Sequence, residues 1–67
     1  MKNNIRVERA ILDITQATLA EAMSVSRQTI NAIEANKYVP SGVLLLKIAK
    51  YFQKPVESIF QLEENER

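Results

Sequence analysis

Between Thr15 and Ala35 the chain twice sets a hydroxyl residue ahead of a short run with helical apolar spacing. Thr15 precedes Gln16 to Met23, where Leu19, Ala20 and Met23 follow i, i+1, i+4 spacing. Ser26 precedes Arg27 to Ala35, where Ile30 and Ile33 share one face. A serine or threonine at such a position accepts a hydrogen bond from a free N–H of the first helical turn. The pattern predicts two short helices over about 16–35, joined by the tight turn Met23-Ser24-Val25-Ser26. Helices this short are marginal in isolation, so their apolar stripes must be buried by the rest of the chain. Val25 is apolar inside a turn and is expected to plug the angle between them.

Three further helices complete the expected set. The first spans about Asn4 to Asp13, with Ile5, Arg9 and Leu12 on one face. The fourth spans about Gly42 to Phe52, capped by Ser41 after Pro40, with Leu45, Ile48, Ala49 and Phe52 inward. Pro55 is suited to start a fifth through Phe60, carrying Val56, Ile59 and Phe60. Asn36 follows the third helix where a left-handed residue is expected, a conformation that asparagine tolerates. Gly42, the only glycine, falls in the first turn of the fourth helix. It either weakens that helix or admits another backbone. The tail 61–67 is acidic; it is expected to fray or to extend as an edge strand, and Met1 to Asn4 could pair with it.

Sixty-seven residues make one small domain over 1–67, with modest burial to hold it together. Cysteine and histidine are both absent, which removes disulfides, thiolate metal sites and the commonest acid–base catalyst. No phosphate-cradling glycine loop and no nucleophile–base pair is present, so no enzyme and no cofactor is expected. No segment resembles a signal peptide or a membrane span, so no membrane contact is expected and the expected location is the cytoplasm. Net charge is +1, but residues 1–54 carry eight Lys/Arg against four Asp/Glu, while 55–67 carry four Glu against one Arg. The basic side coincides with the two-helix motif. Phosphate attraction is therefore available to it.

Arg27 and Gln28 open the third helix and point away from its apolar stripe. Arginine can grip guanine O6 and N7 with two parallel hydrogen bonds, and glutamine can do the same for adenine N6 and N7. Asn31 lies on the same outer face, four residues after Arg27 and three after Gln28. Thr29 either touches a thymine methyl or supports the cap. Apolar residues exceed what a bundle of this size can hide: Val43, Leu44, Leu46, Tyr51, Ile59, Phe60 and Leu62 are the expected surplus. Such a cluster would suit a two-fold interface between copies of the chain.

Thr15-Gln16, Leu19-Ala20, Val25-Ser26-Arg27, Thr29-Ile30, Ile33-Glu34 and Pro40-Ser41 together resemble the Cro/CI-like (XRE) helix-turn-helix regulators, over roughly Ile5 to Phe60. The resemblance implies an all-α, compact five-helix bundle of the lambda-repressor-like kind. It implies binding to a double-stranded DNA operator, usually as a homodimer, and most simply repression of transcription. It assigns base reading to Arg27, Gln28, Asn31 and Thr29, and phosphate contact to Gln16 at the start of the second helix. It places Asn36, Lys37, Tyr38 and Ser41 along the DNA backbone. Ala32 stands at another reading position and can offer only a methyl group. Arg9 and Glu34 are implied to form a partly buried ion pair, which excludes them from the site. Members of the family often carry glycine where this chain has Asp13, Ser24, Asn36 and Gln53. The other reading of the same motif is an antitoxin or adaptor module, whose partner would be a toxin or an unidentified regulatory protein.

Overall fold

In the computed structural model, which describes residues 1–66, a two-residue strand β1 (Lys2–Asn3) leads into α1 (Ile5–Leu12). Then follow α2 (Gln16–Met23), α3 (Arg27–Glu34), α4 (Gly42–Phe52) and α5 (Val56–Ile59). The chain returns as β2 (Phe60–Gln61) and ends in a 3-10 turn over Glu64–Glu66. Arg67, the last residue of the acidic tail, lies outside the described residues. The expected terminal pairing is present: β1 and β2 run antiparallel, with Lys2 opposite Gln61 and Asn3 opposite Phe60.

The helix starts follow from side-chain chemistry. Thr15 Oγ1 accepts from the Thr18 N–H at 3.0 Å, Ser26 Oγ from Thr29 at 3.1 Å, and Ser41 Oγ from Leu44 at 3.2 Å. Asn4 makes no such bond at α1. Instead Asn3 Oδ1 accepts from the Ile5 N–H at 3.2 Å, and the Asn4 N–H donates to the Ile59 carbonyl at 2.8 Å. The start of α1 is thereby tied to the end of α5.

The ends of α1 to α4 share one device. Asp13, Ser24, Asn36 and Gln53 all lie in the left-handed region, at φ of 56°, 59°, 61° and 57°. At each, a pair of backbone bonds closes the last turn: Val25 donates to Ala20 and Ser24 to Glu21, for example. This is the Schellman arrangement, which glycine ordinarily serves. These are the four positions where glycine is common among the regulators that the sequence resembles. The chain keeps the geometry without the residue. Ile14 and Val25, which follow two of these ends, pack onto the core. Val25, expected to plug the angle between α2 and α3, is half-buried against the core.

The core is built by Ile5, Leu19, Ala20, Met23, Ile30, Ile33, Leu44, Ile48, Ala49, Phe52, Ile59 and Phe60. Several expectations change here. Leu12 is 49% exposed, not inward, because the buried residues of α1 are Ile5 and Glu8 and the chain turns away at Asp13. Leu44 rather than Leu45 leads the buried stripe of α4, and Leu45 is half-buried beside it. Ile59 and Phe60 are core residues, not surplus, since the terminal strands draw them inward. α5 is shorter than Pro55 to Phe60: Pro55 is its N-cap and Phe60 is already extended.

Beyond the adjoining residues and its own helical turn, a Cβ placed on Gly42 would meet no atom of the described residues within 4 Å. Among the described residues no other backbone approaches it, so the glycine only weakens the first turn of α4. Gly42→Ala is expected to stabilise the fold by about 0.4–1 kcal/mol, mainly by restricting the unfolded chain. A urea-unfolding midpoint that fails to rise would refute this.

Candidate nucleic-acid interface

α3 is held by one stripe. Ile30 and Ile33 are fully buried, while Arg27, Gln28 and Asn31 are exposed on the other side. The Ser26 cap fixes where the helix begins. Three polar side chains therefore stand exposed on a helix held by its opposite face. Ala32 and Thr29 sit between the two faces, half-buried. The Thr29 hydroxyl lies 2.9 Å from Ser26 Oγ, so it is committed to the cap.

Beneath this face lies a charged network. Glu34, whose side chain is only 1% exposed, accepts from Arg9 Nε at 2.6 Å and Arg9 Nη2 at 3.0 Å. The implied Arg9–Glu34 pair is thus present, with the two-pronged geometry that makes such pairs strong. Arg9 Nη1 also donates to the Ile14 carbonyl at 3.1 Å. Arg6, 77% exposed, brings its Nε to 3.6 Å from Glu34. Burial alone would raise the Glu34 carboxyl. The hydrogen bonds from Arg9 and Gln16, with the charges of Arg9 and Arg6, outweigh it and hold the carboxyl below its ordinary range.

Gln16 is half-buried, not freely solvated. Its Nε2 donates to Glu34 Oε1 at 3.2 Å, and its Oε1 accepts from Asn31 Nδ2 at 3.4 Å. The two candidates, one on α2 and one on α3, are brought together. Asn36 is also engaged: its Oδ1 accepts from Asn3 Nδ2 at 3.1 Å, and the same Nδ2 donates to the Ile33 carbonyl at 2.8 Å. The Asn36 amide nitrogen is thereby left as the donor for any phosphate. Lys37 and Tyr38 are exposed in the loop after α3, and Ser41 is exposed at the start of α4. Ser41 spends a lone pair on its cap, which leaves its O–H to donate.

Sequence reasoning missed three contributors. Glu8 is buried and paired with Lys54, Nζ to Oε2 at 2.8 Å. Its position three residues after Ile5, in phase with the inner face, was the available signal. Arg6 and Asn3 left no signal, because their partners lie far along the chain. Among the described residues no pocket and no cluster of potential metal ligands is present, and no helix is long and apolar enough to cross a membrane.

A family model described as helix-turn-helix matches residues 5–59. An uncharacterised HTH-type transcriptional regulator of Methanocaldococcus jannaschii is 50% identical over 66 residues, covering 98% of this chain and all of its own length. A similarly described protein of Bacillus subtilis is 47% identical over 64 residues, covering 96% of this chain and 97% of its own. One from Archaeoglobus fulgidus is 41% identical over 66 residues, covering 98% and 93%.

Proposed function

The chain belongs to the helix-turn-helix family, and from that premise we propose that it is a sequence-specific repressor of transcription, acting in the cytoplasm on a two-fold operator as a homodimer. One observation carries the reading. The face of α3 opposite Ile30 and Ile33 presents Arg27, Gln28 and Asn31 uncovered, on a helix whose start is pinned by Ser26. In the major groove, Arg27 and Gln28 reach base edges first, with Asn31 one turn on. Gln16, Asn36, Lys37, Tyr38 and Ser41 supply donors and charge to the phosphates, which set register without reading sequence. The Thr29 hydroxyl is bound to the cap, which leaves its methyl as the part able to meet a thymine.

Homodimerisation is supported by α4, whose Val43 and Leu46 remain 70% and 63% exposed. Two copies related by a dyad present two α3 helices to successive major grooves, about 34 Å apart. An operator covered in this way is closed to polymerase.

Selection of bound duplexes from a random pool, repeated at two salt concentrations, tests the whole reading. The expected outcome is a two-fold consensus with half-sites one helical turn apart. A pool with no enriched sequence overturns it. Gln28→Ala is expected to weaken specific binding by about 1–3 kcal/mol with folding unchanged. Lys37→Ala should instead weaken all sequences alike and lower the salt slope by about one. Gel-shift titrations of both variants, against matched and mismatched duplexes, separate the two roles.

A further inference from the structure

We propose that Gln16 is a positioning residue that sets which way the Asn31 amide faces, with the buried Glu34 carboxylate as the origin of that setting. The inference rests on the DNA-reading role of α3 given above.

A primary amide has two ends of nearly equal shape and opposite hydrogen-bonding sense. A free asparagine can turn either end toward a base. Here the ends are not equivalent. Glu34 is ionised and accepts only, so the group that Gln16 turns toward it must be Nε2, seen at 3.2 Å. That choice directs the Gln16 oxygen to the other side, where Asn31 meets it at 3.4 Å. An oxygen there needs a donor, so Asn31 must present Nδ2. The polarity of a buried carboxylate is thus passed through two amides to the exposed face of α3. It keeps its sense because Arg9 grips both Glu34 oxygens, Oε2 at 2.6 Å and at 3.0 Å the same Oε1 that Gln16 meets, and so holds the carboxylate in place.

By count, Asn31 keeps its Oδ1 and one N–H uncommitted. An acceptor beside a donor matches the N6–H and N7 of adenine. Guanine offers two acceptors at the same edge and would leave Oδ1 facing another oxygen. A free Asn31 could also offer both N–H groups to those two acceptors; the relay uses one of them on Gln16, and so favours adenine over guanine at the base pair Asn31 faces. Gln16 keeps one N–H of its own for a phosphate, so positioning and backbone contact are compatible in one side chain.

Gln16→Met keeps the length of the side chain and the Arg9–Glu34 pair but removes the amide. Wild type, Gln16→Met, Asn31→Ala and the double variant are titrated against operator duplexes that differ by one base pair. Asn31→Ala identifies the position that Asn31 reads, as the one where preference is lost. At that position Gln16→Met is expected to reduce the preference for adenine by about three- to tenfold, the worth of one neutral hydrogen bond. Preferences elsewhere should stand, and the double variant should add nothing at that position to Asn31→Ala. A uniform loss of affinity with the adenine preference intact overturns the relay and leaves the repressor reading standing. A wild-type protein that prefers no duplex overturns both. In the free protein, the Asn31 side-chain amide resonances should move in Gln16→Met while the backbone spectrum stays dispersed. Amide resonances that stay in place would refute the bond between them whatever the DNA result.

Discussion

Arg9→Ala is expected to cost about 3–5 kcal/mol of folding stability, because it leaves the Glu34 carboxylate buried without its charge partner. Domains hold only about 5–15 kcal/mol in total, so this single change removes a large share of the stability. Circular dichroism at increasing urea measures this directly. Charge pairs that exclude water are costly to break and gain little net energy when kept. The double replacement Arg9→Met with Glu34→Leu should therefore recover most of what the single change loses. A double variant as unstable as Arg9→Ala would show that the hydrogen bonds to Ile14 and Gln16, not the unpaired charge, carry the effect.

The same pair fixes a pH dependence. Arg9 and Gln16 outweigh burial, so the folded Glu34 carboxyl lies below its ordinary range. Its contribution is complete above the unfolded pKa of about 4.3 and is lost as pH falls through the lower folded value. Wild type should weaken in acid, and the Met/Leu double variant should weaken less steeply over the same range.

The combined replacement Asp13→Gly, Ser24→Gly and Gln53→Gly is expected to act in the opposite direction. All three residues hold positive φ, and none makes a side-chain hydrogen bond among the described residues. A side chain in the left-handed region costs about 1–2 kcal/mol, less for aspartate, against which glycine loses more freedom on folding. The net gain for the triple variant should be about 1–3 kcal/mol, with the melting temperature rising about 4–8 °C for each kcal/mol. Gln53 should contribute most, since it has neither the short polar side chain nor the local bonding that eases aspartate and asparagine into this region. Asn36 is left out, because its Oδ1 is bound by Asn3. A melting temperature that falls would mean that the entropy of the unfolded glycines outweighs the relief.

The parts of the fold that could be read from sequence are those with local causes. Thr15, Ser26 and Ser41 cap the helices they precede, and Ile30 with Ile33 sets the phase of α3. The left-handed end at Asn36 could be read from its residue type, whereas those at Asp13, Ser24 and Gln53 came from the resemblance, since Gln53 gives no turn signal of its own. The phase of α4 was less legible. Val43 to Leu46 are four apolar residues in a row, and the packed partner, not the spacing, decides that Leu44 turns in and Leu46 out. Leu12 was misplaced for a related reason, because the inward face of α1 is set by the polar pairs of Glu8 and Arg9 with distant partners. Within the candidate site, the exposure of Arg27, Gln28 and Asn31 followed from periodicity. The bond from Gln16 to Asn31 did not, for it depends on how closely α2 and α3 approach.

Asn3 joins three things that are far apart along the chain: the first turn of α1, the Ile33 carbonyl of α3, and the side-chain amide of Asn36. It sits in the strand opposite Phe60. The far end of α3 is thus anchored by β1, and β1 in turn by β2. In the proposed complex, disturbance of that small sheet would slacken the loop after α3 and misalign its backbone contact even with Arg27, Gln28 and Asn31 intact.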